Sequence, residues 1–231
     1  MSDLTPRPER GQVRASASTY GETRDGVVLR VYGPRTTGGV LWLAGIHGDE
    51  LESVAVLSAA VRLVPAGELR HPVILCANPD GALRGTRGNA AGVDLNRNFP
   101  TSDWRSGPTH YRWGATGPQD VVLCTGDAPA SEPEVSALLA LVDELDASAL
   151  VVMHAPLALI DDPSDSALAR ELADATGLPL ALVDYPTPGS FGTWGTETAR
   201  TIVTYELPEA DTHSLISDHS YVIAEHLRRR D

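Results

Sequence analysis

Short apolar runs that alternate with longer amphipathic stretches constrain this chain more than any other feature of its sequence. Val40-Leu-Trp-Leu-Ala-Gly-Ile46 and Pro72-Val-Ile-Leu-Cys-Ala77 read as buried strands, and so do Leu150-Val-Val-Met153, Leu180-Ala-Leu-Val183 and Thr201-Ile-Val-Thr-Tyr205. The stretches between them have helical spacing. Residues 50–63 place Val54, Leu57 and Val61 on one face. Residues 131–145 open with a capping box, Ser131 and Glu134, and carry Pro133 in the first turn. Residues 167–176 stop at Gly177, and residues 212–230 form a closing helix with basic residues in its last turn. Strands alternating with helices imply an α/β domain with a mixed, largely parallel central sheet flanked by helices. The polar, Gly-rich residues 1–32 read as an N-terminal arm on the edge of that domain. The length fits one such domain over residues 1–231.

His47, Asn78, His154 and Glu206 each stand at the C-terminal end of one of these strands. In open α/β sheets that edge is where ligand sites form, and four polar residues at four such ends are hard to ascribe to chance. In Gly45-Ile-His-Gly-Asp-Glu50, two residues separate an imidazole from a carboxylate at a strand-to-helix junction. That spacing lets both face one point, and zinc accepts nitrogen and oxygen ligands. Alone, the pair fits a solvated turn as well. Asn78-Pro-Asp-Gly81 and Arg87-Gly-Asn-Ala-Ala-Gly-Val-Asp-Leu-Asn-Arg-Asn-Phe-Pro100 follow. Adjacent Asn96 and Arg97 suit a carboxylate clamp, because a guanidinium fork matches two oxygens; solvated surface charges fit Arg87 and Arg97 equally well.

In order, His47-x-x-Glu50, Gly92-Val-Asp-Leu-Asn-Arg-Asn-Phe99, Ser131-Glu-Pro-Glu134, His154 and Glu206 resemble the zinc carboxypeptidase (funnelin) family. Within it the chain is similar to the murein peptide amidase group. Asn78-Pro-Asp-Gly81, Tyr111-Arg-Trp113, Leu123-Cys-Thr-Gly-Asp127, Pro156-Leu-Ala158 with Asp162-Pro163, and Thr187-Pro-Gly-Ser-Phe-Gly192 carry that closer likeness.

The resemblance implies a zinc-carboxypeptidase-like catalytic domain with one zinc per chain, held by His47, Glu50 and His154. Two imidazoles and a carboxylate leave a fourth position for water. It implies Glu206 as general base and Arg87 as the group that polarises the scissile carbonyl. Asn96 and Arg97 are implied to bind the substrate's terminal carboxylate, and Asp94 to accept the second ring N–H of His47. Tyr185 lies nine residues before Trp194, where the family's mobile capping tyrosine often lies; a structural tyrosine fits that position equally. The expected substrate is a small peptide, the murein tripeptide, cut at its γ-D-glutamyl–meso-diaminopimelate bond during cell-wall peptide recycling. One departure bears on substrate recognition: Ala155 follows the third ligand, where the group often has an acidic residue, and Asp161 and Asp162 are the nearest replacements.

Two other readings stand beside this one. An aspartoacylase or succinylglutamate desuccinylase type deacylase shares the G-x-H-G-x-E and D-L-N-R segments. Those enzymes usually carry an extra C-terminal β-domain, and this chain ends about two dozen residues after Glu206. A zinc-binding module without catalysis is the other, and the presence of Glu206 and Arg87 weighs against it. The formal charge of −13 argues against a nucleic-acid partner, since no basic stripe is available to release counterions. No apolar signal core opens the chain and no run approaches a membrane span, so no membrane partner and a cytoplasmic location are expected. Cys76 and Cys124 are too few for a disulfide framework, and Cys76 reads as a buried hydrophobe. His71, His110, His213, His219 and His226 have no motif around them and read as surface residues.

Overall fold

Residues 11–111, 118–183 and 185–229 are described by a computed structural model. Nine strands and six α-helices follow one another among these residues. Seven strands form one sheet: β1 (Ala17–Glu22), β2 (Val28–Tyr32), β4 (Val73–Ile74), β3 (Val40–Ala44), β7 (Ala149–His154), β9 (Thr201–Pro208) and β8 (Leu157–Asp161), in that spatial order. The centre, β4-β3-β7-β9, is parallel, while β1, β2 and β8 pair antiparallel at the edges. A separate hairpin joins β5 (Pro108–Tyr111) to β6 (Val121–Cys124).

Every residue of β3 and β7 is buried, as a strand covered on both faces requires. Alternation then splits the core in two. Val40, Trp42 and Ala44 join Val151 and Met153 on the face packed by α1 (Leu51–Leu63) and α6 (Thr212–Arg228). Leu41 and Leu43 join Leu150 and Val152 on the other, under α3 (Pro133–Leu145) and α5 (Phe191–Glu197). The remaining helices are α2 (Pro79–Arg84), capped by Asn78, and α4 (Ala167–Thr176), which ends at left-handed Gly177. The mixed sheet flanked by helices agrees with the sequence reading.

Several local expectations need correction. Residues 17–22 and 28–32, read as part of an arm, form two strands of the sheet; their apolar signal is weak because β1 has no buried residue and β2 buries only Leu29 and Val31. Leu180-Ala-Leu-Val183 is not a strand: Leu180 makes one isolated bridge to Ile160. No capping box opens α3. Its N-cap is Glu132, which makes no side-chain cap bond, and Glu134 points to Asn89 instead. His71, His219 and His226 are buried rather than surface residues, each with its Nδ1 satisfied: His71 by the Val40 N–H, His219 by the Tyr205 hydroxyl and His226 by the Val222 carbonyl. Cys76 is only half-buried, and both cysteines are free. Arg112, Trp113 and Arg230, which entered the sequence reading, lie outside the described residues.

Candidate metal centre

The parallel strands bring their C-terminal ends to one edge. β3 runs into His47 through Gly45, whose φ of 64° and close approach to Val54 and Cys76 leave no room for a side chain. Gly48 lies backbone to backbone against α2: a Cβ there would meet the Gly81 carbonyl carbon at 2.2 Å. Glu50 occupies the N-cap position of α1 but makes no side-chain cap bond, so its carboxylate is available to the site. Ser53 fixes the turn by donating to the Glu50 carbonyl at 2.7 Å while accepting the Gly45 N–H.

His47 Nδ1 lies 2.7 Å from Glu50 Oε1, and His154 Nδ1 lies 2.9 Å from Glu50 Oε2. The two ring nitrogens are 3.1 Å apart. Ligand atoms on a tetrahedral zinc with bonds of about 2.0–2.1 Å would be separated by about 3.3 Å, close to the spacing found. All three side chains are buried, and they are the one group of three or more His, Cys, Asp or Glu among the described residues with ligand atoms within 4.8 Å of one another. Two imidazole nitrogens facing each other and a carboxylate at such range suit a bound cation. Burial raises the Glu50 carboxyl, but His47 and His154 outweigh it and hold it well below the usual range.

Asp94 is fully buried, with Oδ1 3.4 Å from His47 Nε2. Burial opposes its charge, yet His47 and the neighbouring arginines depress its pKa strongly. Its other oxygen accepts the Tyr111 hydroxyl. Arg87 stacks over the Tyr111 ring at 4.1 Å and donates to Glu50 Oε1 at 2.9 Å. Glu206 stands beside His154 in parallel register, 8% exposed, with Oε2 accepting the Leu157 N–H at 3.3 Å. Burial chiefly, and the Glu50 charge, raise its pKa against the opposing pull of His154.

Asn96 and Arg97 lie in a single 3₁₀ turn, Leu95–Arg97, capped by Asp94. The Asn96 carbonyl oxygen Oδ1 accepts the first N–H of α5, from Phe191. Arg97 lies 5.7 Å from the centre of the Tyr111 ring. Tyr185 is 51% exposed; burial first, then the Glu206 charge, raises its hydroxyl against Arg97 and Arg87. The structure thus gathers all of these residues at one edge of the sheet. Asn78 is a different matter. Its side chain caps α2 and bonds the Ile46 and Arg87 carbonyls, so it braces the site rather than facing it. Asp162 accepts from Ser164 and Ser166, which removes it as a free charge in place of an acidic residue at Ala155. Tyr111, which touches Asp94, Arg87 and Arg97, had no role assigned from sequence; its only signal was its place in the Tyr111-Arg-Trp113 segment.

The zinc carboxypeptidase family matches over residues 17–168, and the chain belongs to that family. It is a zinc-dependent hydrolase. Among individual relatives it is 43% identical to murein peptide amidase A of Escherichia coli K12, over 99% of this chain and 96% of that protein. It is 44% identical to murein peptide amidase A of Vibrio campbellii, over 94% of this chain and 89% of that one. The crystal structure of murein-tripeptide amidase MpaA from Escherichia coli O157 superposes with a TM-score of 0.90 at 43% identity, over 100% of this chain and 99% of that chain. Carboxypeptidase A from Helicoverpa armigera shares the fold, with a TM-score of 0.69 at 18% identity, over 93% of this chain and 67% of that one.

Proposed function

We propose that this chain hydrolyses the γ-D-glutamyl–meso-diaminopimelate bond of L-Ala-γ-D-Glu-meso-diaminopimelate, in the cytoplasm, as a step of cell-wall peptide recycling. The observation that carries the reading is the convergence of His47, Glu50 and His154 with Glu206 and the loop of Arg87, Asn96 and Arg97, in a chain similar over nearly its whole length to murein peptide amidase A. No helix among the described residues is long and apolar enough to cross a membrane.

His47, Glu50 and His154 would hold the zinc, and the metal would supply Lewis-acid polarisation of a carbonyl and activation of water near neutral pH. Asp94 fixes the ring of His47 through Nε2. Glu206, one oxygen held by Leu157, takes a proton from the attacking water and returns one to the leaving amine. Arg87 stabilises the negative charge that develops on the carbonyl oxygen; to do so it shifts its donation from Glu50 to the substrate. Asn96 and Arg97 hold the free carboxylate on the L-centre of diaminopimelate. Asn96 has its oxygen committed to Phe191, which orients its amide nitrogen as the donor. Tyr185 covers the bound peptide. Ala155 spends its N–H on Glu50 at 3.4 Å and brings no charge, so the distal end of the substrate is read by other groups.

In the tetrapeptide that same carboxylate is tied up by D-alanine and the clamp has no ligand. Mass spectrometry of both peptides after incubation with the zinc-loaded protein should show free diaminopimelate from the tripeptide and none from the tetrapeptide. No release from the tripeptide, with brisk hydrolysis of an N-acyl amino acid, would transfer the chain to the deacylases.

A further inference from the structure

The loop of residues 87–98 carries Arg87, Asp94, Asn96 and Arg97, yet apart from one short 3₁₀ turn it has no regular structure. Two asparagines anchor it, Asn89 near its start and Asn98 at its end, and both are buried. Both reach Ser131-Glu-Pro-Glu134, the segment that leads into α3. The two N–H bonds of the Asn89 amide are shared between Glu132 Oε2 at 2.8 Å and Glu134 Oε2 at 3.2 Å. Its oxygen accepts the backbone N–H groups of Ala91 and Val93. The Asn98 amide donates to the carbonyls of Thr125 and Ala128 and to Ser131 Oγ, while its oxygen accepts the Glu132 N–H at 3.1 Å. Ser131 Oγ closes the circuit by donating to Glu132 Oε1 at 3.0 Å.

We propose that Ser131-Glu-Pro-Glu134 is a clamp that grips the substrate-holding loop at both ends, with Glu132 as its central positioning residue. Glu132 is 2% exposed and contributes no side-chain cap to its own helix. A carboxylate buried that deeply is costly unless its oxygens are bonded, and apart from Arg24 at 3.6 Å, the partners that bond them are Asn89 of the loop and Ser131, whose hydroxyl in turn accepts from Asn98 at the loop's other end. The approach is tight. A Cβ on Gly126 would fall 2.4 Å from Asn98 Nδ2 and 2.5 Å from Ser131 Oγ. Pro133, at the start of α3, stiffens the segment without removing a needed helix donor. No member of this clamp holds metal. It acts through the loop, and a displacement of the order of 1 Å in a group that positions substrate costs up to about a hundredfold in rate.

The consequence for turnover rests on the reading of Arg87, Asn96 and Arg97 given above; the consequence for the loop does not, and the experiment separates the two. Hydrogen–deuterium exchange of residues 89–98, zinc content, and kcat and KM on the tripeptide are measured for the native protein, Glu132→Ala and Glu132→Gln. The glutamine side chain keeps an acceptor for Asn89 and the alanine methyl does not. Glu132→Ala should retain zinc, speed exchange across 89–98, and lose about ten- to a hundredfold in kcat/KM, while Glu132→Gln recovers most of both. Should Glu132→Ala fail to fold, Ser131→Ala makes the same comparison at smaller amplitude, with faster exchange at the Asn98 end. Native exchange in 89–98 in Glu132→Ala, or in Ser131→Ala where Glu132→Ala does not fold, overturns the clamp, and so does an equal loss in Glu132→Gln and Glu132→Ala that merely follows their melting temperatures. If the native protein leaves the tripeptide intact, the functional reading fails while the exchange data still decide the clamp.

Discussion

The ligand trio and the loop beside it meet at one edge of the sheet and are positioned by different means. The loop adds many side-chain ties to its few backbone bonds, such as those of Gly48 to Arg87 and Asp94 to Cys124. Backbone places His154 and Glu206, and brings His47 to the same edge. β3, β7 and β9 run in continuous parallel register, from Val40 opposite Ala149 to His154 opposite Glu206. A slip of one residue would turn every side chain to the other face, so the ladder holds as a unit or fails as one. Side chains place much of the loop: Asn78 bonds the Arg87 carbonyl, Asp94 bonds the Asn96 N–H, and Asn89 and Asn98 bond its flanks. Such ties give way one at a time. The metal centre should therefore respond to substitution nearly all-or-none, and the loop by degrees.

The largest effect should follow His47→Ala. The trio loses a ligand atom at its centre, and no other His, Cys, Asp or Glu among the described residues completes a set of three. Zinc measured by elemental analysis should fall sharply and hydrolysis should go with it. A variant that keeps full occupancy would remove His47 from the ligand set and break the contrast between the two regions.

The same contrast explains what the sequence made legible. β3, β7 and β9 are short, apolar and bounded, so their existence and the polar residues at their ends could be read directly. β4 shrank to Val73–Ile74 and Leu180-Ala-Leu-Val183 made only one isolated bridge, because a short apolar run says nothing about which neighbour it will meet. β1 and β2 were missed because β1, at the edge, has no buried residue and β2 buries only Leu29 and Val31, so neither shows a run of apolar residues. In the site, His47, Glu50, His154 and Glu206 were singled out because their order resembles that of the zinc carboxypeptidases; the spacing of His47 and Glu50 alone fits a solvated turn as well. The support of the loop was not. Asn89 and Glu132 look like surface residues in sequence, and only the tertiary approach of 131–134 to 87–98 shows that their polar atoms are matched inside the protein.

An intermediate effect is expected from Glu206→Gln. The amide preserves size and the bond from Leu157 but cannot take a proton, so zinc should remain while turnover drops by roughly 10²–10⁴. Glu206 must be ionised to act as base, and its pKa is raised above 4.5 by burial first and then by Glu50. Native kcat/KM should therefore fall with decreasing pH along a limb that lies above the ordinary glutamate range. A profile of kcat/KM against pH checks this, and activity within about tenfold of native in Glu206→Gln would take Glu206 out of the role.

The smallest effect, confined to one class of substrate, belongs to Arg97→Ala. The Arg97 guanidinium is half-buried, donates to the Asn96 carbonyl at 2.6 Å and lies near the Tyr111 ring, so it is held without a carboxylate in ion-pair contact among the described residues. Such a pre-positioned cation fits a ligand carboxylate, and losing one charge-assisted contact of that kind costs about 1.5–3 kcal/mol. The tripeptide with its free carboxylate should show a rise in KM of about ten- to a hundredfold, with kcat much less affected. A peptide amidated at that carboxylate should be a poor substrate for the native protein and nearly indifferent to the substitution. Zinc content should not move, because the trio stands on β7 and the β3–α1 turn and not on the loop. Equal turnover of the free-acid and amidated peptides by the native protein would contradict the clamp at Asn96 and Arg97, and loss of zinc in Arg97→Ala would show that the two regions are not separately held.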